Sequence, residues 1–514
     1  MKKRFFSLLL ACSVVLLSGC SDWEDTQQDS VFQTLQDYYG VKNEADDTST
    51  SLSFFALPYY VGQTADPITC TDGAQQVLGT LLYEGLFALT PQLEPQPLLA
   101  ESCTYDAASF TYTITLRSGI TFSDGSELSA RDVIYTLQRA QSSIRYSARL
   151  ADMASISGSG NQVYLRLSNN NAAFTARLDI PIIKYATGDW TFPVGTGPYY
   201  HLHDSSGSHL AVNGSWWQKK ELPLQRIELV RCKGSDTISY AFYAREIQLM
   251  MCDLTATSTS SVYGSGDYTD AATTTMHYIG LNTLRAPLND PALRNALSLG
   301  VDRSSCVSSF LLGHGSTAQF PLSPASALYP RHLEHTYSPD YFDRAMAAVG
   351  YSTGTSVPLT MIVNAENTFK VSAAQKVAGD LSRHDLQITV RVLPWNEYVL
   401  ALQSGNFDLY YGECKLTADW DLRSLLHTGG TMNYGGYSNP ETDALVQTVL
   451  SAEESQRADA IESLCMQLQQ QHPILPICFK DISVLLPSGA VESITPTAAN
   501  PFYDLPSWDM DIQK

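Results

Sequence analysis

The 514-residue sequence is poor in basic residues, with 32 Lys and Arg against 52 Asp and Glu and a formal net charge of −20. Nucleic-acid binding generally needs a basic face that meets the phosphate backbone, so this deficit argues against it. Acidity also keeps an ordinary protein soluble, and it favours cationic ligands only weakly. We therefore expect no nucleic-acid partner.

Motifs of metal and redox chemistry are also missing. The sequence contains no Cys-x-x-Cys and no His-Glu-x-x-His, so zinc ribbons, thioredoxin-like pairs and zinc proteases have little support. The pairs His332/His335 and His201/His203 could approach a metal, but ten histidines in so long a chain produce such pairs by chance. Eight widely spaced cysteines follow residue 20, and they suit buried apolar positions at least as well as disulfides. We predict no metal and no cofactor, and leave disulfide pairing open.

A convincing catalytic set is absent as well. Gly350–Gly354 matches G-x-S-x-G, which would make Ser352 a candidate nucleophile. A nucleophile elbow joins a strand to a following helix, whereas this segment follows a predicted helix and precedes a predicted strand. We interpret it as a helix-ending turn and predict a protein that is not an enzyme. A secreted serine hydrolase that uses Ser352 is the alternative.

No apolar run near the start is long enough to span a membrane. Three basic residues precede the apolar run Phe5–Leu17, which is too short for a spanning helix and ends in Leu-Ser-Gly-Cys. This arrangement predicts a signal peptide over 1–19 and lipidation of Cys20, followed by an acidic tether over 20–51. The alternative is an ordinary secretory signal in which Cys20 is incidental. The protein is thus expected outside the cell membrane, anchored by lipid, at the cell surface or in the periplasm.

The clearest local pattern lies between residues 110 and 140. Phe110, Tyr112, Ile114 and Leu116 alternate with threonines, which predicts a half-buried strand. After an Asp-Gly turn, Ser129 can cap a helix while Asp132 reaches back to its amide. A chain this long exceeds a single hydrophobic core, so we expect at least two lobes.

The second half of the chain alternates strands with helices. Strands are predicted at Leu359–Val363, Ile388–Leu393 and Phe407–Tyr411, with helices between them. This order favours an α/β fold with a parallel or mixed sheet. Asp290 can cap a helix that has Pro291 at its first position. The Ser-, Thr- and Gly-rich stretch Thr255–Thr275 is predicted to be an irregular surface segment.

Several motifs together resemble one family. The segment T-Y-x-x-x-L-R-x-G-I-x-F-S-D-G-x-x-L-x-A-x-D-V begins at Thr111, and P-V-G-T-G-P-Y begins at Pro193. With the later G-Y-S-N-P, they are similar to the family 5 extracellular solute-binding proteins, which are oligopeptide, dipeptide and nickel receptors of ABC importers. The resemblance implies a periplasmic-binding-protein type II-like fold, with two lobes joined by two crossing strands. It places lobe I with an extra subdomain at 52–279, lobe II at 280–477 and a return to lobe I at 478–514.

The resemblance also implies where the ligand binds. In peptide-binding members, the aspartate of an A-D-x-x-x-P segment pairs with the α-ammonium group of the ligand. Ala418-Asp419 matches the start of that segment, but no proline follows. Asp419 is the leading candidate counter-ion and Asp421 the reserve. The alternative is that both aspartates only cap the next helix.

Further ligand contacts are predicted around these aspartates. Trp395 would lie in the cleft wall, with a core position as the alternative, and main-chain groups would pair with an extended peptide. The predicted function is a monomeric, membrane-anchored receptor that delivers short peptides to an importer permease. A nickel chelate, haem or oligosaccharide in the same fold is the alternative ligand, and a sensing role is the alternative to transport. The full set of predicted ligand-binding residues is Asp419, Asp421, Trp420, Trp395, Thr417, Tyr410 and Gly412.

Overall fold

A computed structural model of the chain describes residues 54–254, 266–492 and 494–510. The predicted signal peptide, Cys20 and the predicted tether lie outside these ranges. Within them, no helix has the length and apolar character needed to cross a membrane.

Both strands and helices occur throughout these ranges. The strands are β1 Ala56–Tyr60, β2 Glu84–Gly85, β3 Phe87–Leu89, β4 Pro95–Pro97, β5 Ala100–Asp106, β6 Thr111–Leu116, β7 Met153–Ser159, β8 Gln162–Leu167, β9 Pro181–Ile182, β10 Tyr199–Asp204, β11 Gly207–Val212, β12 Arg226–Cys232, β13 Met250–Cys252, β14 Gly266–Leu281, β15 Gly315–Thr317, β16 Val357–Asn364, β17 Leu386–Leu393, β18 Leu409–Lys415, β19 Ile474–Pro487, β20 Val491–Glu492 and β21 Asp509–Met510. The α-helices are α1 Gly73–Leu82, α2 Ala130–Gln141, α3 Ser235–Tyr243, α4 Pro291–Leu299, α5 Arg303–Phe310, α6 Pro339–Ala348, α7 Thr368–Leu381, α8 Trp395–Ser404, α9 Arg423–Leu426, α10 Pro440–Ser451 and α11 Glu454–Gln471.

The first lobe contains two four-stranded sheets. One has the order β1-β12-β11-β10, and the other is the antiparallel sheet β5-β6-β8-β7, against which α2 packs. The predicted strand and capped helix are confirmed here, since Ser129 and Asp132 form a reciprocal capping box. This antiparallel sheet carries one wall of the site described below.

Two long strands connect the lobes. The antiparallel partners β14 and β19 run side by side, with Val484 and Leu486 in the first-lobe core and Leu475 and Ile477 in the second. The predicted lobe boundaries at 279/280 and 477/478 fall within these strands. The prediction of an irregular segment through residue 275 is wrong for residues 266–275, because pairing with β19 makes this threonine-rich sequence a strand.

The second lobe is built on a mixed sheet with the order β13-β19-β14-β18-β16-β17, to which β15 adds beside β19. Strands β16, β17 and β18 run parallel, while β14 and β19 are antiparallel to their neighbours. The α/β prediction is confirmed, as is the cap of α4, where Asp290 accepts from the Ala292 amide at 2.9 Å. The sheet directs β18 toward the first lobe.

The eight cysteines of the described ranges are free thiols, and most of them are buried. Burial raises the pKa of the Cys414 thiol to about 12, so it is neutral at physiological pH. These cysteines therefore behave as small apolar side chains.

One buried carboxylate joins three segments of the first lobe. Glu84 accepts hydrogen bonds from Thr196 Oγ1 at 2.8 Å, Trp216 Nε1 at 3.1 Å, Trp217 Nε1 at 2.8 Å and Gln218 Nε2 at 3.4 Å. Burial raises its pKa, and these four donors oppose that rise. The Y-E-G-L-F, G-T-G-P-Y and N-G-S-W-W-Q segments thus meet at a single side chain.

We expect Glu84→Gln to destabilise the protein, because the amide NH₂ would face donors that now bind a carboxylate. The expected loss in free energy of unfolding is about 1–3 kcal/mol, measured by urea denaturation. Glu94→Gln is the matched control, since Glu94 is exposed. Equal stability of the two variants would show that the four hydrogen bonds to Glu84 do not hold the lobe together.

Candidate functional site

The loop after β18 lies against the first lobe and is fixed by Trp420. The Trp420 amide donates to the Thr417 carbonyl at 2.9 Å, and the buried indole packs edge-on against Phe479 of β19. Trp420 has a φ of 56°, which is uncommon for a bulky residue and costs free energy. Asp419 and Asp421 are the residues directly before and after this anchored tryptophan.

Asp419 makes a buried contact with the first lobe. Its side chain is fully buried, and its Oδ2 accepts from Arg177 Nε at 2.6 Å and from Asn171 Nδ2 at 2.8 Å. Its Oδ1 is also buried and has no hydrogen-bond partner within the described ranges. A carboxylate in contact with both lobes therefore keeps one unsatisfied acceptor.

Asp421 extends this contact into a network. Its Oδ2 accepts from Arg177 at 2.7 Å and from Arg423 at 2.6 Å, and Arg423 also pairs with Asp152 of the first lobe. Burial alone would raise the pKa of Asp421, but the Arg423 and Arg177 guanidinium groups lower it to about 2. Asp421 is therefore ionised at neutral pH and binds both arginines.

The first-lobe half of the site is held by the small antiparallel sheet. Asn171 precedes a short 3₁₀ helix, Phe174–Arg177. The Tyr112 hydroxyl on β6 donates to the Asn171 carbonyl at 2.7 Å and accepts from the Phe174 amide at 3.2 Å. Tyr112, the second residue of the motif that begins at Thr111, therefore positions the segment that binds Asp419.

The sequence profile of the bacterial extracellular solute-binding proteins, family 5 (middle region), matches residues 94–430. The matched span exceeds half of the chain and contains both halves of the site. The chain belongs to this family.

Its relatives support the same assignment. The oligopeptide-binding protein AppA of Bacillus subtilis is 22% identical over 493 residues, covering 87% of this chain and 90% of AppA. The glutathione-binding protein GsiB of Escherichia coli is 24% identical over 443 residues, covering 80% of this chain and 86% of GsiB. The unliganded, open structure of the periplasmic murein tripeptide-binding protein MppA has a TM-score of 0.75 at 16% identity, covering 90% and 98%. The predicted family and fold are confirmed.

Among the other ligand residues predicted for this solute-binding protein, the structure places Trp395 at the start of α8. Its side chain is 54% exposed, and its ring lies 5.9 Å from that of Tyr398. Tyr410 lies in an interior strand with β14 and β16 on its two sides. A Cβ at Gly412 would come within 2.6 Å of the Tyr278 ring, so this position needs glycine.

Sequence reasoning missed the partners of Asp419. Asn171 and Arg177 follow β8 in an unremarkable polar stretch, and Arg177 lies 242 residues from Asp419. The only local signal is the run Asp419, Asp421 and Arg423, whose alternating spacing indicates a charge cluster. That run identifies one half of the network and contains no information on the other.

The Ser352 segment has a geometry unsuited to nucleophilic catalysis. Ser352 Oγ lies 3.2 Å from His384 Nδ1, and His384 Nε2 lies 3.0 Å from Asp343. The Thr353 amide, which an oxyanion hole would use, instead donates to Asp385 at 2.8 Å. Ser352 is exposed in the turn after α6, and its hydrogen bonds fasten that turn to the start of β17.

The two histidine pairs named above as possible metal ligands make other contacts. His332 lies 3.1 Å from Glu462, and the His201 ring stacks on Phe192 at 3.7 Å. In the part of the chain that the structure describes, no three His, Cys, Asp or Glu side chains are grouped to hold a metal.

A double-mutant cycle tests the contact between the lobes. We expect Arg177→Met and Asp419→Asn to show a coupling energy above about 1.5 kcal/mol, because each variant removes one partner of a buried ion pair. The measurement is the free energy of unfolding in urea for the two single variants and the double variant. The matched control is the half-exposed pair Lys376 and Asp380 on α7, expected to couple by less than about 0.5 kcal/mol. Equal coupling in the two cycles would contradict the assignment.

Proposed function

We propose that this solute-binding protein captures short peptides between its lobes and delivers them to the permease of an ABC importer. The observation that carries the proposal is the buried, unsatisfied Oδ1 of Asp419. Leaving such an acceptor without a donor costs about 1–3 kcal/mol, and the α-ammonium group of a peptide supplies a charged donor. The names of AppA and GsiB, an oligopeptide- and a glutathione-binding protein, agree with this cargo.

The neighbouring groups support this role of Asp419. Arg177 and Asn171 hold Oδ2 when the lobes are in contact, so in that state the carboxylate has a fixed orientation and keeps Oδ1 for the ligand. Asp421 is occupied by Arg177 and Arg423, so we assign it a positioning role. Asp421 Oδ1 also accepts from the Arg423 amide at 3.0 Å, at the start of α9. Capping of this helix, the alternative for both aspartates, does not account for their contact with the first lobe.

The wall of the cleft would supply the remaining contacts. The exposed indole of Trp395 offers apolar surface to the ligand, and Trp420 keeps the loop in place. The main chain of Tyr410 already pairs with the strands on both of its sides, β14 and β16. We therefore assign the main-chain contacts of an extended peptide to Gly412 and Thr417. Every peptide has the same main chain, so these contacts give affinity with little preference for the peptide's sequence, which suits a nutrient receptor.

Capture and release would depend on motion at the crossing strands β14 and β19. Hinge closure around a ligand is one of the usual motions of two-lobed binding proteins. An opening that separates residues 171–177 from 419–423 must break the Arg177–Asp419 pair. We also propose that the protein is a monomer, anchored to the outer side of the membrane by a lipid on Cys20. A nickel chelate, haem or oligosaccharide is the alternative cargo.

The Asp419→Asn variant tests the proposed ammonium contact. The probes are alanine peptides of two to five residues and their N-acetylated forms, and affinity is measured by calorimetry. We expect the variant to bind the free-amine peptides about 10- to 100-fold more weakly, because a charge-assisted hydrogen bond is lost. Its affinity for the acetylated peptides should change little.

Asp380→Asn on α7 is the matched control and should bind both sets of peptides like the wild type. An equal loss for free and acetylated peptides would make Asp419 a purely structural residue. Failure of the wild type to bind any of the peptides would contradict the peptide cargo.

A further inference from the structure

The two crossing strands do not pair continuously. Pairing between β14 and β19 is regular up to Ala272 and Asp481, and it resumes at Met276 and Phe479. In between, three residues of β14 lie opposite a single residue of β19. Such a bulge disrupts the hydrogen-bond ladder and bends the strand. We call residues 270–276 of β14 and 479–483 of β19 the joint, because the strands pass there from the core of one lobe to that of the other.

A polar cluster occupies one face of the joint. Ser483 Oγ donates to Asp270 Oδ1 at 2.6 Å, and His314 Nδ1 lies 2.9 Å from Asp270 Oδ2. Side chains alternate along a strand, so Asp481 lies on the same face of β19 as Ser483. The Asp481 amide donates to the His314 carbonyl at 3.1 Å. Asp481 therefore lies between Asp270 of β14 and His314, which precedes β15.

Asp481 differs from Asp270 in having no partner for its carboxyl group. The side chain is half-buried, and within the described ranges it forms no ion pair and accepts no hydrogen bond. Burial and the negative charge of Asp270 raise its pKa to about 7, and His314 opposes that rise. Asp481 therefore changes its charge close to neutral pH.

The other ionisable groups around the joint do not compensate this charge. The Tyr268 ring of β14 lies 5.1 Å from the ring of His314. Cys252 of β13 flanks β19 on the same face, and burial raises its pKa to about 12, so the thiol is neutral. Lys480 lies on the opposite face, where its Nζ is 2.6 Å from Asp253 Oδ2. The charged neighbour on β14 is thus Asp270, which has the same sign as an ionised Asp481.

We propose that Asp481 makes the joint between the crossing strands sensitive to pH, because its neutral form leaves β14 and β19 paired and its carboxylate repels Asp270 and loosens them. The proton exchanges with solvent. Since the closed joint binds this proton more tightly than an opened one, the joint loses stability as the pH rises from the ordinary aspartate pKa of 3.8 to about 7. Movement of the lobes about these strands then becomes easier at higher pH.

This inference goes beyond the proposed peptide function and does not depend on the cargo. It concerns the strands that connect the lobes and is tested without added peptide. Its failure would leave the peptide function intact.

Hydrogen exchange measured by mass spectrometry at pH 6 and pH 8 tests the proposal. The segments followed are 266–281 and 474–487, with rates corrected for the intrinsic effect of pH on amide exchange. The Asp481→Asn variant carries no charge at either pH. We expect the protection of these segments in the wild type, divided by that in the variant, to fall about 10-fold from pH 6 to pH 8.

Urea denaturation supplies a second measurement on the same proteins. At pH 8 the Asp481→Asn variant should unfold at a higher urea concentration than the wild type, because an unpaired and repelling charge has been removed. Asp459→Asn on α11 is the control, since Asp459 is exposed, and it should match the wild type in both measurements.

Two results would overturn the inference. A ratio of protection that stays constant between pH 6 and pH 8 would show that Asp481 does not control the joint. A variant that is less protected or less stable than the wild type at pH 8 would show that the Asp481 carboxylate stabilises the strands instead of loosening them.

Discussion

The buried ion pair between Arg177 and Asp419 is the contact on which the arrangement of the site depends. Removing two charges from water is costly, and the pair is tolerated because Arg177 also binds Asp421 and Asn171 also binds Asp419. Each partner comes from a different lobe. The two lobes can therefore meet here only in a geometry that keeps both charges satisfied.

This contact is mechanically connected to the crossing strands. Trp420, between the two aspartates, packs against Phe479 of β19, and its strained backbone conformation persists because the indole is buried there. On the other side, Tyr112 of the small antiparallel sheet holds the segment that carries Asn171. The ion pair and the crossing strands are thus separated by only a few packed side chains.

Local sequence signals predicted local structure well. The capping box at Ser129 and the proline-led helix after Asp290 depend on residues within four positions of each other, and both are confirmed. The threonine-rich start of β14 was mispredicted because its strand character comes from β19, some two hundred residues away. For the same reason Arg177 was not predicted as a site residue, since only the fold brings it to the Asp419 loop. The Ala418-Asp419 segment identified the loop that contacts the first lobe, but its partners required the structure.

Native mass spectrometry of the protein purified without refolding tests the central claim most directly. The account predicts that the protein carries short peptides from the cell, and that fragmentation shows a free α-amino group in each. Adducts consisting only of metal chelate, haem or sugar would contradict the peptide cargo. Peptides that are mostly blocked at the amino end would contradict the role assigned to Asp419.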